Sequence, residues 1–130
     1  MPLVYIDILD GRAPGEIQTL LDTVHSAVVR AFDVPERDRY QVVRSHPAHE
    51  VTALDTGLGI ARSARLVIVH LVSRRRQRAQ KERFYALLAG ALAHDTGLDA
   101  KDLIVTITEN GDEDWSFGQG RAQFLTGELS

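Results

Sequence analysis

The chain of 130 residues contains no cysteine, which excludes a disulfide-stapled extracellular scaffold and a thiolate metal site. It has no large excess of one charge either: its formal net charge of -3 favours neither nucleic acid nor an anionic membrane as a partner. Long hydrophobic runs are missing, since the apolar stretch Leu66 to Val72 has only the length of a strand. The N-terminus has no basic segment before its short apolar run, so we expect a cytoplasmic protein without a secretory signal.

What is present is an ordinary globular composition, with 44% hydrophobic and 25% charged residues. The length fits one compact domain, for which roughly 100–150 residues is the commonest size. We therefore predict a single domain over residues 1–130.

The first part of the chain predicts a strand, a helix and a second strand. In Leu3 to Leu9, Val4, Ile6 and Ile8 fall on one face, which predicts a strand with at least one fully buried face. Pro14 suits the first turn of a helix, which we expect to end near Phe32, before Pro35. A second strand begins at Tyr40. The apolar stripe of the predicted helix consists of Ile17, Leu20, Leu21, Val24, Ala27, Val28 and Ala31.

The second part repeats this plan. A β-branched apolar run over Leu66 to Val72 predicts a strand, and a helix that ends at Gly97 follows it. Leu103 to Thr108 alternates again and precedes the turn signal Asn110-Gly111. The predicted buried stripe of this second helix consists of Phe84, Leu87, Leu88, Ala91 and Leu92.

The two parts superpose without gaps when the chain is shifted by 64 positions, which places Asp38 on Asp102. We predict an α+β fold in which two pseudo-symmetric βαβ units form a four-stranded mixed sheet with two helices on one face. The units span about residues 2–45 and 65–110, with a linker over 46–64 and a tail over 111–130. The alternative is that unrelated βαβ units share this hydrophobic pattern. The other matched pairs are Leu20 with Phe84, Leu21 with Tyr85, Val24 with Leu88, Ala27 with Ala91, Val28 with Leu92 and Val34 with Leu98.

Basic residues cluster where the third predicted strand ends and the second helix begins: Arg74, Arg75, Arg76, Arg78, Lys81 and Arg83. Helix N-termini prefer acidic neighbours, so this cluster breaks a local rule. An anion held by Arg74 and Arg76 would resolve the conflict. The alternative is a solvated basic surface paired with residues such as Glu82, which we favour for Arg78 and Arg83.

Pro2 becomes a secondary amine if Met1 is removed, and its neighbours decide whether it acts as a base, an acid or an electrophile. A proline at position 2 is weak evidence by itself. A pseudo-twofold axis between the units would place their first strands antiparallel at the sheet centre. Pro2 would then lie near Arg74 and Arg76, in a site suited to a small keto or enol acid.

Other patterns predict no cofactor. His46 and His49 have no third metal ligand in sight, and Gly118-Gln119-Gly120 lacks the strand and helix that flank a phosphate-binding loop. The tail contains several aromatic residues, so we expect it to pack on a pocket wall or on a neighbouring subunit.

The sequence resembles the tautomerase superfamily and, within it, the malonate semialdehyde decarboxylase group. The resemblance covers nearly the whole chain, and the tail is its most specific part. The matching segments outside the tail are the Met-Pro start, Gly11-Arg12, Val34-Pro35, Asp38 to Gln41, Asp55 to Gly59, Arg62-Ser63, Ser73-Arg74, Arg76, Gln80-Lys81, Phe84-Tyr85 and Glu109-Asn110. Those in the tail are Asp114 to Gly118, Gly120 to Ala122 and Phe124 to Gly127.

The resemblance implies a cofactor-independent decarboxylase of malonate semialdehyde or a similar 3-oxo acid. Pro2 would be protonated and polarise the carbonyl, Arg74 and Arg76 would bind the carboxylate, and Asp38 would orient water or tune Pro2. The apolar wall of the pocket would consist of Trp115, Phe117, Phe124 and Leu129. The family also implies a homotrimer that binds a small carboxylate substrate. Neither a nucleic acid nor a membrane is expected as a partner.

The residue between the two arginines departs from the family pattern, because Arg75 replaces a proline. An extra cation could re-aim Arg74 and Arg76 or bind a larger diacid, which leaves the substrate open. Two alternatives remain within the superfamily: a hydratase or dehalogenase of 3-substituted acrylates, and a keto–enol tautomerase. A third alternative is a non-catalytic trimeric module.

Overall fold

The computed structural model of the protein describes residues 2–130. Four strands and three helices form its regular structure: β1 (Leu3–Leu9), α1 (Pro14–Phe32), β2 (Tyr40–His46), β3 (Val67–Arg74), α2 (Arg78–Thr96), β4 (Leu103–Asn110) and α3 (Gln123–Thr126). Single 3-10 turns occur at Ala48–Glu50, Ala100–Asp102 and Asp112–Asp114.

The four strands form one mixed sheet in the order β2-β1-β3-β4. β1 pairs with β2, and β3 with β4, in parallel, while β1 and β3 are antiparallel at the centre. In the central pair Leu3 faces Val72 and Ile8 faces Val67. A shift of 64 positions turns the first of these pairs into the second, so the register itself obeys the repeat. The predicted pseudo-twofold arrangement is confirmed.

The helices and the sheet enclose the core between them. Alternation buries Val4, Ile6 and Ile8 of β1 on the face toward the helices. α1 has Pro14 at its first turn and ends at Asp33 in the left-handed conformation, while α2 ends at Gly97 with φ 73°. Burying each large apolar side chain contributes about 1.5–3 kcal/mol. The helices contribute to this core Leu20, Val24, Ala27, Val28, Ala31, Phe32, Phe84, Leu88 and Leu92.

Three boundaries differ from the sequence prediction. β3 begins one residue later than Leu66 and continues to Arg74, while β4 continues beyond Thr108 to Asn110. The reason is that Arg74 pairs with Asn110, so the ladder extends past the apolar residues that periodicity detects. The tail also forms a short helix, α3, which the sequence did not predict. As a result Arg74 is part of a strand and its position is fixed by the sheet.

Candidate active site

Pro2 lies at the start of β1, in the middle of the sheet. Continuing the strand pairing by one residue beyond Leu3 places Pro2 beside Ser73 of β3 and beside Arg39, which precedes β2. The Pro2 side chain is fully buried. A nitrogen at this position is held by the strands on both sides, unlike an amine on a flexible lysine stem.

Arg74 ends β3 and reaches the C-terminal tail. Its Nη1 donates a hydrogen bond to Asp112 Oδ1 at 3.0 Å, and its Nη2 donates to the backbone oxygen of Ser130 at 3.3 Å. The guanidinium carbon lies 3.8 Å from the centre of the Phe124 ring, a cation–π contact. Its Nε is buried and has no hydrogen-bond partner among residues 2–130. Arg74 therefore retains one donor that a ligand could use.

Arg76 is held by two other strand residues. Its Nε donates to Ser73 Oγ at 3.0 Å, and its backbone N–H donates to Glu109 Oε2 at 2.6 Å. Glu109 also pairs with Lys81 of α2 at 3.1 Å. The hydrogen bond from Arg76 and then the contact with Lys81 hold the pKa of Glu109 below its ordinary value. These contacts fix the backbone and the guanidinium of Arg76 together.

The surroundings of Arg76 leave its charge poorly compensated. Burial is the largest cause of a lowered pKa for this guanidinium, and the positive charge of Arg74 lowers it further. The charges of Asp38 and Glu109 oppose this effect and are outweighed. A half-buried cation in this state is stabilised when an anion binds beside it.

Asp38 lies in the loop before β2, with 9% of its surface exposed. Its backbone N–H donates to Pro35 O at 3.0 Å, which fixes the local turn. Its carboxylate accepts no hydrogen bond within residues 2–130, yet its charge acts on Arg76. Asp38 is thus a largely buried residue whose carboxylate is not held by a hydrogen bond from residues 2–130.

Three tail aromatics form a compact cluster. Trp115 stacks on Phe117 with ring centres 5.3 Å apart, and Phe124 meets Phe117 edge-on at 5.5 Å. Trp115 Nε1 donates to Asn110 Oδ1 at 2.7 Å, which ties the cluster to the end of β4. Tyr40 of β2 packs against Phe117 at 5.5 Å. The cluster therefore connects both edge strands of the sheet and, through Phe124, reaches Arg74.

Comparison with known proteins decides the family. Family models described as "Tautomerase enzyme" match residues 38–118 and residues 2–61. The probable tautomerase YrdN of Bacillus subtilis is 48% identical over 129 residues, which is 99% of this chain and 100% of that protein. The chain belongs to the tautomerase superfamily. A second probable tautomerase of that organism, YusQ, is 32% identical over 96% of this chain and 99% of its own length.

Among solved structures, this tautomerase superfamily enzyme is similar to two malonate semialdehyde decarboxylases. A crystal structure of malonate semialdehyde decarboxylase, described with decarboxylase and hydratase activities, is 49% identical over 98% of this chain and 99% of that one, with a TM-score of 0.96. The FG41 malonate semialdehyde decarboxylase inhibited by 3-bromopropiolate is 38% identical over 98% of both chains, with a TM-score of 0.94. A symmetric trimer of fused 4-OT, 21% identical over 96% of this chain and 98% of its own, has a TM-score of 0.78 and shares the fold.

The structure of this superfamily member brings most of the predicted site residues to one end of the sheet. Pro2, Arg74 and Arg76 meet where β1 starts and β3 ends, and the charge of Asp38 acts there. Leu129 is half-buried, and its backbone N–H bonds to Gln123 O at 3.1 Å. The tail reaches the site through the next residue, Ser130, whose backbone oxygen accepts the hydrogen bond from Arg74.

Several residues of this site were not predicted from the sequence. Ser73 could have been found, because the antiparallel register that places Pro2 near Arg74 also places it opposite Ser73. No sequence pattern indicated the contacts of Glu109 and Tyr40. They depend on how β4 packs beside the Arg76 loop and on how the tail folds back onto the sheet. Arg75 is exposed, while Arg78 pairs with Glu82 at 2.7 Å as the solvated alternative predicts.

Residues 2–130 contain no group of three or more His, Cys, Asp or Glu placed to hold a metal ion. His46 instead pairs with Asp7 at 2.7 Å. In the same residues, no helix is both long and apolar enough to cross a membrane.

Proposed function

We propose that this enzyme decarboxylates malonate semialdehyde or a similar 3-oxo acid without a cofactor. The observation that supports this most is the buried Pro2 opposite Ser73, one residue from the strand-end Arg74. The 49% identity to malonate semialdehyde decarboxylase over 98% of the chain supports the substrate class.

The two arginines would bind the substrate carboxylate. Arg76 has a half-buried charge that Asp38 and Glu109 compensate only in part, and the buried Nε of Arg74 has no partner within residues 2–130. The proposed apolar wall (Trp115, Phe117, Phe124 and Leu129) would exclude water from the bound carboxylate. Desolvation weakens the hydration that otherwise holds the negative charge on this group, and so favours its loss as neutral carbon dioxide.

Pro2 would act as a protonated amine that donates a hydrogen bond to the aldehyde oxygen. When the bond between the carboxylate and the adjacent carbon breaks, its electron pair forms a carbon–carbon double bond and carbon dioxide leaves. The negative charge then moves to the oxygen, where a hydrogen bond from the Pro2 cation stabilises it as an enolate. Uptake of one proton at carbon completes the aldehyde product.

The protonation of Pro2 is a balance of opposing charges. Arg74 and Arg76 disfavour the cation, while Asp38 favours it. Asp38 is largely buried, so solvent would screen its field only in part. We therefore assign Asp38 the role of holding Pro2 in its cationic form or orienting water beside it.

The alternative activities follow from the same site. A hydratase or dehalogenase would use the cation to activate water on a 3-substituted acrylate, and a neutral Pro2 would serve as the base of a keto–enol tautomerase. The curated relatives are named as probable tautomerases, and one malonate semialdehyde decarboxylase is described with hydratase activity. Exposed Arg75 adds a cation that could favour a larger diacid.

A parallel assay separates these activities. The enzyme would be given malonate semialdehyde, 3-chloroacrylate and phenylpyruvate, with the Pro2→Ala variant as the control for each. We expect turnover of malonate semialdehyde to be the fastest and to depend on Pro2. Turnover of phenylpyruvate alone would refute the decarboxylase assignment.

We also propose that the enzyme is a cytoplasmic homotrimer. The sheet face away from the helices includes Tyr40 and Val42, which are 41% and 43% exposed, and a neighbouring subunit would cover them. The fused 4-OT protein of the same fold is described as a trimer. Light scattering would test the mass. A non-catalytic trimer remains the alternative if mass spectrometry of the purified protein finds Met1 retained.

A further inference from the structure

The end of the sheet opposite Pro2 has a cavity of about 170 Å³. Its apolar lining includes Leu20, Val67 and Leu98, and its polar lining includes Arg12 and Arg65. Leu20, Val67 and Leu98 are all buried, so the cavity is bounded by the core itself. It lies where the chain leaves β1 and enters β3, the reverse of the Pro2 end.

The repeat relates this cavity to the candidate active site. A shift of 64 positions places Arg12 on Arg76 and Asp102 on Asp38. It also places Leu66 on Pro2, so the opposite end has no amine at the equivalent position. The second end thus retains the arginine and the aspartate of the first.

The electrostatic surroundings of Arg12 resemble those of Arg76. Burial is the largest cause of its lowered pKa, and the charge of the neighbouring Arg65 is the next. Its Nη2 donates to the backbone oxygen of Arg65 at 2.7 Å. Within residues 2–130 no carboxylate lies within ion-pair distance of Arg12, although the charges of Glu16 and Asp102 act on it from farther away.

The acidic residues of the cavity are already engaged. Glu16 pairs with Arg65 at 3.3 Å and accepts a hydrogen bond from the backbone of Ala13 at 3.1 Å. Asp95 accepts from Thr23 Oγ1 at 3.0 Å and contacts His94 at 2.8 Å. These two carboxylates leave Arg12 unpaired, and they would repel a ligand with two negative charges.

We propose that this cavity binds a small monocarboxylate with a short apolar chain and performs no chemistry on it. Arg12 would pair with the carboxylate, and the apolar chain would rest on Leu20, Val67 and Leu98. A cavity of this volume accommodates a ligand of a few carbon atoms. Leu66 at the position of Pro2 leaves no amine to act as acid or base. This site goes beyond the proposed decarboxylase function and does not depend on it.

Butyrate is a suitable probe, and the backbone amides of the full chain report where it binds. We expect saturable NMR shifts at Gly15, Thr19, Thr96 and Leu98, with a dissociation constant on the order of 1 mM. The Arg12→Gln variant should weaken this binding by about tenfold or more, because a charge-assisted hydrogen bond is lost. The matched Arg30→Gln variant removes an equal charge from an exposed position of α1 and should bind as the wild type does.

Two results would overturn the proposal: shifts that stay linear with butyrate at constant ionic strength, or equal binding by wild type and Arg12→Gln. A Thr19→Leu variant fills part of the cavity without changing charge and should also weaken binding. It keeps the test valid if Arg12→Gln does not fold. Shifts near Ser73 and Glu109 report the Pro2 end separately, and decarboxylase activity is assayed independently. The failure of either proposal is therefore distinguishable from the failure of the other.

Discussion

The two ends of the central strand pair have an aspartate at equivalent positions, but of these two only the carboxylate of Asp102 accepts hydrogen bonds within residues 2–130. Asp102 is 2% exposed and accepts hydrogen bonds from Ser63 N at 2.7 Å and Ser63 Oγ at 2.6 Å. Asp38 is 9% exposed and accepts none within residues 2–130. A carboxylate that accepts hydrogen bonds from the fold stabilises the folded state. A carboxylate without such bonds remains free to act on a ligand or an amine.

The ends also differ in what covers them. The tail aromatics pack at the end where β3 stops, and Phe124 lies under Arg74. The cavity beside Arg12 is lined by α1, α2 and the residues around the start of β3, without the tail. Combined with Leu66 in place of Pro2, this difference restricts the proposed chemistry to one end of a nearly symmetric fold.

Replacing the amine-bearing residue should have the largest effect. We expect Pro2→Ala to lower kcat/KM for malonate semialdehyde by about 10²–10⁴-fold, the range for loss of a positioned acid or base. Pro14→Ala is the matched control, because Pro14 begins α1 away from the site, and it should keep full activity. Equal activity of the two variants would remove Pro2 from the mechanism.

The next largest effect should be a difference in kcat/KM between substitutions of the two equivalent arginines. Arg76→Gln should lower kcat/KM by about 10–100-fold, since one charge-assisted hydrogen bond to a substrate is worth about 1.5–3 kcal/mol. Arg12→Gln removes the same charge at the other end and should leave turnover unchanged. Steady-state kinetics of both variants measure this directly, and a similar loss in both would show that the ends are functionally equivalent.

Substitutions of the two equivalent aspartates should affect different properties, stability for Asp102 and activity for Asp38. Asp102→Ala leaves Ser63 unpaired and should lower the free energy of unfolding by about 1–3 kcal/mol while the folded protein keeps its kcat. Asp38→Ala should lower kcat and change stability less. Urea unfolding and kinetics on both variants test this, and the reverse pattern would contradict the comparison.

The smallest effect should be the change with pH of the contribution that Glu109 makes to the free energy of unfolding. Its folded-state pKa lies below the ordinary value of 4.5, chiefly because the backbone N–H of Arg76 bonds to it and then because of Lys81. Its contribution to stability should therefore be complete above that ordinary value and be lost as the pH falls through the lower folded-state pKa. The difference in unfolding free energy between wild type and Glu109→Gln should shrink only in that acidic range. A difference that shrinks near neutral pH would contradict this cause.

The hydrophobic pattern was sufficient to predict the strands and both long helices, and the repeat between the two units predicted the antiparallel central pair. The repeat then placed Pro2 near Arg74, since a shared register relates distant residues. It could not reveal the packing of Tyr40 against Phe117 or the contact of Arg74 with Phe124. Those contacts depend on how an irregular tail folds back, and a tail without periodicity gives no register to follow.

We propose that Pro2 is a cation, which the charge of Asp38 favours and the arginine pair disfavours. Mass spectrometry would first establish that Met1 is removed, and NMR of ¹⁵N-proline-labelled enzyme would then follow the Pro2 nitrogen through a pH titration. We predict a protonated amine at pH 7, and that Asp38→Asn moves its titration to lower pH. A neutral amine at pH 7 would contradict the account and make Pro2 a base.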